Sequence, residues 1–260
     1  MHKVYDGNFW ECYIPDARPG MMYKYRIYQQ SGFFIDHCDP YGYGMELRPK
    51  NASIIRDLST YHFKDSKWME QRTDHRNQPL NIYELHFGSW KKPSEEEEDW
   101  YSYTELADIL LPYLKENGYN YLEIMPLSEH LCTTGISGIT RTLPVSTAPT
   151  SRYGTAQELM EFIDACHQND IGIIMDFVPV HFAVDGYALA NYDGTALYEY
   201  PNIDVGRSEW GSCNFMHSRG EVRSFLQSAA NYWLTDYHVD ASAWMPSAIS
   251  STGRETRPGA

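Results

Sequence analysis

Between residues 81 and 240 the chain alternates strand-like and helix-like stretches, and that alternation restricts the fold more than any other feature. Residues 82–87, 121–126 and 171–178 are apolar-rich strand candidates, and a fourth strand begins at 237–240. Between them, three helices are announced by the same capping box, in which a Ser or Thr hydroxyl takes an orphan N–H and a Glu three residues on answers it. The pairs are Ser102/Glu105, Thr155/Glu158 and Ser218/Glu221. The first of these helices runs from about Tyr103 to Asn117 and is closed by Gly118. A βαβαβα order followed by a new strand means a parallel sheet with right-handed crossovers. Polar residues cluster after the strands, at Ser128-Glu129-His130 and from Asp176 to His181, where a TIM barrel builds its active site. A doubly wound sheet would alternate in the same way, but no glycine-rich phosphate turn follows the first strand. The expected fold of this part is an incomplete α/β (β/α)8 TIM barrel.

The clearest strand is Gly172-Ile173-Ile174-Met175-Asp176-Phe177-Val178-Pro179-Val180-His181. Its unbroken Ile, Met and Val content suits a strand covered on both faces. An aspartate at the end of such a strand is costly to bury without a partner, so Asp176 is either bonded into a network or turned to a cleft. His181 has the same two readings: a satisfied structural histidine or a site residue.

The first 65 residues follow a different pattern. Residues 9–15 and 23–28 alternate large and polar side chains, with Arg18-Pro19-Gly20 as a turn between them, which is the pattern of a β-sandwich. Too few strands are present to close two sheets, so the sandwich is partial. The expected divisions are a partial β-sandwich at 1–65, a polar linker at 66–80, the first part of a barrel at 81–240 and an anomalous tail at 241–260. The acidic run Glu95-Glu96-Glu97-Glu98-Asp99 reads as a solvated loop.

Charge narrows the partners. Lys+Arg 21 against Asp+Glu 35 gives 21 − 35 = −14, which argues against nucleic acid and against an anionic membrane surface. Neutral polymers remain, and 15% aromatic residues supply faces on which the C–H surfaces of sugar rings stack. The five cysteines are scattered in no metal-ligand spacing, so no metal or other cofactor is expected. Reduced thiols, the absence of an apolar signal core and the lack of a membrane-length apolar run point to the cytoplasm.

Several stretches resemble the glycogen branching enzymes (1,4-α-glucan branching enzymes) of the α-amylase superfamily. Asn81-Ile82-Tyr83-Glu84-Leu85-His86-Phe87-Gly88-Ser89-Trp90 is similar to that family's first barrel strand, and Ile124-Met125-Pro126-Leu127-Ser128-Glu129-His130 to its second. Ala148-Pro149-Thr150-Ser151-Arg152-Tyr153-Gly154-Thr155 is similar to the loop before the next helix. Asp176-Phe177-Val178-Pro179-Val180-His181 matches the superfamily's first conserved region, Asp-x-x-x-x-His, and Asp193-Gly194-Thr195-Ala196-Leu197-Tyr198-Glu199 is typical of branching enzymes. The resemblance implies transfer of an α-1,4-glucan segment to a 6-hydroxyl by retaining double displacement, with α-1,4-glucan as partner. It also implies that His181 contacts the sugar being cleaved and that Asp176 supports the nucleophile region, which makes both substrate-binding residues. A debranching or trehalose-releasing hydrolase of the same superfamily shares the plan, and a non-catalytic glucan-binding protein would need only the sandwich and aromatics such as Trp10 and Tyr25.

The sequence departs from the family where the nucleophile belongs. The family stretch reads Asp-Gly-Phe-Arg-Val-Asp-Ala-Val, whereas this chain has Asp240-Ala241-Ser242-Ala243-Trp244-Met245-Pro246-Ser247, without the arginine or the nucleophilic aspartate. Adding one G to a suitable coding of these residues restores the family stretch, and the shifted frame stays family-like to Gly259. Residues 241–260 therefore read as a frameshift product. A similar reading applies to 131–147, where a Trp-Gly-Tyr-Gln motif is missing, against the alternative of a divergent loop. No catalytic residue is assigned, because neither nucleophile nor acid/base is present, and the chain is expected to be inactive.

Overall fold

In a computed structural model, residues 1–4, 9–47, 49–72, 77–96, 99–129, 147–208 and 211–244 are described. The first six strands are β1 (His2–Val4), β2 (Phe9–Glu11), β3 (Met22–Tyr23), β4 (Tyr25–Tyr28), β5 (Phe34–His37) and β6 (Ser53–Ile54). They pair as three antiparallel ribbons, β1 with β2, β3 with β6 and β4 with β5. The expected alternation is present in β4, whose residues are by turns half-buried and exposed, but the ribbons form no two-sheet sandwich among the described residues. They are tied to the α/β part by the Cys38 N–H donating to Tyr187 O at 2.9 Å and by the His37 ring tilted against Tyr192 at 4.5 Å.

Residues 66–80, expected as a linker, instead carry helix α1 (Ser66–Gln71), whose Trp68 is buried. A tryptophan packed against the rings of Tyr121 and His167 fixes the segment in place, which a polar linker does not. The alternating α/β part comes next: β7 (Ile82–Leu85), a single turn α2 (Phe87–Trp90), α3 (Tyr103–Glu116), β8 (Tyr121–Ile124), α4 (Ala156–Gln168) and β9 (Gly172–Phe177). After it come a short hairpin of β10 (His181–Phe182) and β11 (Cys213–Asn214), enclosing α5 (Ile203–Gly206), and finally α6 (Gly220–Thr235) and β12 (Ala241–Trp244). The order β7-β8-β9-β12 forms one sheet, parallel throughout.

Local chemistry explains the boundaries. Ser102 and Thr155 make the expected capping boxes, with Ser102 N–H donating to Glu105 Oε2 at 2.8 Å and Thr155 N–H to Glu158 Oε2 at 2.6 Å. Gly118, at φ 73°, ends α3 while the Tyr119 N–H reaches back to Leu114 O. The third box fails. Helix α6 starts one residue later than expected, with Arg219 as N-cap and no side-chain cap, so Glu221 occupies N2 and cannot reach back as an N3 residue would. The backbone bond from Arg219 N–H to Met216 O fixes this shift. The fourth strand likewise begins at Ala241 rather than Tyr237, because His238 takes φ 57°, outside the extended region.

Alternation along the strands separates two faces. Leu85, Leu122, Ile124, Ile173 and Met175 join Leu106, Leu110 and Leu114 of α3 and Leu159, Phe162 and Ile163 of α4 in one core. The i, i+4, i+8 spacing of the three leucines makes the stripe that this face covers. The opposite face carries Glu84, Glu123, Ile174 and Asp176, by strand period. At its lower end Gly172 lies against the Tyr121 ring, where any Cβ would collide.

A polar clasp closes that lower end. His167, at the end of α4 and buried, lies with Nδ1 2.8 Å from Asp65 Oδ2 and Nε2 3.0 Å from Asp240 Oδ2. Both ring nitrogens thus face carboxylate oxygens. Asp240 also accepts from Trp68 Nε1 at 2.9 Å and Ile173 N at 2.8 Å, and pairs with Arg72 at 3.2 Å. Trp68 stacks on the His167 ring at 5.2 Å. Burial opposes ionisation of Asp240, yet His167, Trp68 and the Ile173 amide hold it below the ordinary carboxylate range. The clasp joins the segment before α1, the end of α4 and the entry to β12.

Candidate functional site

The upper, C-terminal ends of the parallel strands carry the candidate site. Asp176 is the penultimate residue of β9, 4% exposed, and its Oδ2 has no hydrogen-bond partner among the described residues. Register places Glu84 beside Glu123, and Glu123 beside Ile174, two residues before Asp176 on the same face. Burial, then the charges of Glu123 and Glu84 and a shared hydrogen bond with Glu123, push the Asp176 carboxyl up to about 6. Two neighbouring carboxylates resist joint ionisation, so near neutrality this one is poised to exchange a proton. The next strand gives it no cation: its register partner on β12 is Ala243.

His181 follows four residues beyond β9, in the β10–β11 hairpin opposite Asn214. Its Nδ1 lies 3.1 Å from Ser212 Oγ, itself 2.5 Å from Ser208 Oγ. Burial lowers the imidazole from its usual range, so the ring is neutral at pH 7 and one nitrogen can accept while the other donates. Asp176 and His181 thus both rise from the upper end of β9, one on the strand and one on the hairpin that continues it.

The polar residues after β8 serve the frame. Glu129 and Arg152 form a buried pair at 3.1 Å, and Glu129 Oε2 accepts from Ser151 N at 2.7 Å. They fasten the loop 147–154 to the strand end, with Thr150 N–H donating to Leu127 O at 2.6 Å. His130 and the stretch 131–146 lie outside the described residues, as does the tail beyond Trp244. Between the hairpin, β9 and α6 there is a void of only about 20 Å³, lined mainly by apolar groups such as Phe177, Phe215 and Trp233. Sequence reasoning missed Glu84 and Glu123 as neighbours of Asp176. Their signal was present as one acidic residue at an inward position of each of three successive strands, but strand register is needed to see it.

Among the described residues no group of three or more His, Cys, Asp or Glu is arranged to hold a metal ion, and no helix is long and apolar enough to cross a membrane.

Comparison with known proteins gives three kinds of match. Residues 1–42 match the family model "Carbohydrate-binding module 48 (Isoamylase N-terminal domain)". The chain is 44% identical over 268 residues to the 1,4-alpha-glucan branching enzyme GlgB of Trichodesmium erythraeum, covering 92% of this chain and 34% of that protein. It is 46% identical over 239 residues to the protein of the same name from Nitrosomonas eutropha, covering 89% and 31%. The chain thus spans about a third of the length of the curated relatives it matches. Among solved structures it resembles a putative alpha amylase from Salmonella typhimurium, with TM-score 0.67 at 24% identity over 89% of this chain and 35% of the other. It also resembles a pullulanase complexed with maltotriose from Anoxybacillus sp. LM18-11, with TM-score 0.67 at 18% identity over 89% and 36%. These two likenesses establish the fold of the described part as α-amylase-like.

Proposed function

From a chain that belongs to the glycogen branching enzyme family of the α-amylase superfamily, we infer the sugar-holding part of a 1,4-α-glucan branching machinery. The observation that carries this reading is the joint position of Asp176 and His181 at the upper end of β9, in a sequence 46% identical to a branching enzyme. In the proposed site a neutral His181 hydrogen-bonds a sugar hydroxyl, and Asp176 supports the region where the reaction occurs. Branching with retention needs a carboxylate nucleophile and a carboxylic acid/base about 5–5.5 Å apart, so that a covalent glycosyl-enzyme can await a sugar hydroxyl in place of water. Residues 241–244 supply neither group, since they read Ala-Ser-Ala-Trp. We therefore propose that this chain binds α-1,4-glucan and does not branch it. The domain division proposed is a carbohydrate-binding segment to about residue 65 and a barrel segment from residue 81, with 241–260 in a shifted reading frame.

Two measurements on the pure chain test this: retention on glycogen, and the iodine colour of amylose after incubation. Retention with unchanged colour is expected. A fall in iodine colour would overturn the inactivity, and no retention would overturn the glucan reading. Resequencing the gene around the Asp240 codon tests the frame, where clean reads encoding this sequence with no family-like continuation would sink the frameshift.

A further inference from the structure

The joint between the N-terminal ribbons and the α/β part is built around a histidine with both ring nitrogens idle. His37 ends β5 opposite Tyr25, is 0% exposed, and neither nitrogen has a hydrogen-bond partner among the described residues. An imidazole buried in this way costs free energy when neutral and far more when charged. Its ring lies 4.5 Å from that of Tyr192, on the loop that follows β10. The same loop is fastened to the ribbons around this contact. Cys38 N–H donates to Tyr187 O at 2.9 Å, and the Tyr192 hydroxyl donates to Cys38 O at 3.4 Å. Gln29, in the turn between β4 and β5, lies so close over Gly194 that a Cβ there would meet its Cδ at 2.8 Å. On its other side the loop braces the hairpin that carries His181: Met216 N–H donates to Tyr198 O at 2.8 Å, and Glu199 is bridged to Phe215, the residue after β11.

The charged groups around the ring are committed elsewhere. On β5, Asp36 is held by two nitrogens of Arg26 at 2.7 and 2.8 Å, and the Asp39 carboxylate accepts from the Tyr23 and Tyr25 hydroxyls at 2.7 and 3.1 Å. On the facing loop, burial keeps Tyr187 and Tyr192 in their hydroxyl form. Burial also raises the Asp185 carboxyl, so acid neutralises it before it can serve as a counter-charge. Lys24, whose charge reaches Asp36 and Cys38, would repel an imidazolium. Glu129 and Arg152, whose charges reach Tyr187, are paired with each other at 3.1 Å. The backbone of Tyr187 and Ala188 and the charge of Asp36 favour ionisation of His37, but burial outweighs them and lowers the imidazole from its usual range.

We propose that His37 is an acid-sensitive latch: a proton on its ring parts the β4–β5 hairpin from the loop 185–199 and loosens the brace behind His181. In the open joint the ring lies in water and titrates near the ordinary 6.5, so the open joint binds the proton more tightly than the closed one. Stabilisation of the closed joint is therefore present in full above that value and is lost as pH falls through the lowered range of the buried ring. Links farther along, from Thr147 N–H to Pro40 O and from Thr147 Oγ1 to Gly42 O, contain no titrating group and keep the ribbons tethered when the latch opens.

Hydrogen–deuterium exchange of the 260-residue chain, read by mass spectrometry as protection relative to intrinsic exchange at the same pH, tests the latch. Between about pH 7.5 and about pH 5, protection of peptides covering 34–40 and 185–199 is expected to fall about tenfold or more, while that of α3 and α4 holds. His37→Phe keeps a ring against Tyr192 and takes no proton, so its protection is expected to be the same at both pH values. Protection independent of pH in the unaltered chain would overturn the latch, as would an equal fall in His37→Phe, which would assign the transition to another group such as Asp185. Should His37→Phe fail to close the joint at neutral pH, the proton NMR titration of the His37 ring in the unaltered chain decides: a midpoint below 6.5 supports the latch and one at or above 6.5 overturns it.

Discussion

Asp176→Asn is expected to stabilise the chain at neutral pH, although it removes a residue placed at the candidate site. The carboxyl is held at about 6 instead of the ordinary 3.8. The folded chain therefore binds this proton more tightly than the unfolded chain does. Protonation favours folding, so this favourable contribution is lost as pH rises through about 6. A difference of that size corresponds to about 3 kcal/mol at 1.36 kcal/mol per pH unit for a fully desolvated group. The face it shares with Glu84, which is solvent-exposed, is open to water, and screening there reduces the expected cost to about 1–2 kcal/mol. An asparagine keeps the shape, carries no charge and can donate to Glu123. The difference in unfolding free energy between the variant and the unaltered chain should be near zero at pH 4 and grow to that value above pH 7. Urea unfolding followed by circular dichroism at the two pH values measures it. An equal difference at both, or a less stable variant at pH 7.5, would show that the Asp176 carboxylate is satisfied in a way this geometry does not contain.

Other substitutions probe separate links in the same argument. Ala243→Arg sets a guanidinium opposite Asp176 in register, so the carboxyl should titrate back toward or below the ordinary range, read as a downfield carboxyl shift in a carbon-13 pH titration centred well under 6; a midpoint left at 6 would contradict the register. His167→Leu leaves Asp65 and Asp240 buried without the imidazole they share and should cost about 3–5 kcal/mol in urea unfolding, whereas a loss under about 1 kcal/mol would mean that the clasp is ornamental. Thr155→Ala should cost about 1 kcal/mol by removing a cap, while Ser218→Ala should change stability by only a few tenths, because α6 is capped by no side chain; equal losses in the two variants would refute the observed starting point of α6.

The legible parts of the sequence are those whose causes are local. A capping box is written within four residues, and two of three were found where the spacing placed them. The core stripe of α3 is written within nine, at Leu106, Leu110 and Leu114. What escaped depends on separations that no window spans. Asp65 and His167 meet across 102 residues of chain, and His167 and Asp240 across 73, so the clasp left no pattern and its segment read as a linker. The acidic trio is an intermediate case. Each residue sits at a visible inward position, but only parallel register sets Glu84 beside Glu123 and brings Asp176 within reach. The start of α6 failed for the opposite reason: the local signal was present, and a backbone bond from Arg219 to Met216 overrode it by one residue.

Clasp and site occupy opposite ends of one sheet and use carboxylates in opposite ways. At the lower end Asp65 and Asp240 are buried, but each lies within hydrogen-bond distance of the same imidazole, and Asp240 gains an indole, an amide and a guanidinium. A charge so compensated stays ionised and rigidifies the entry to β12. At the upper end Asp176 is equally buried and faces two further carboxylates, with an alanine where a cation would fit. The same residue type is thus structural where partners converge and chemically poised where they do not. Stability is spent at the upper end and supplied at the lower one, the division expected when a fold must hold a reactive group in place. The position of the poised aspartate, rather than any motif containing it, is what the clasp secures.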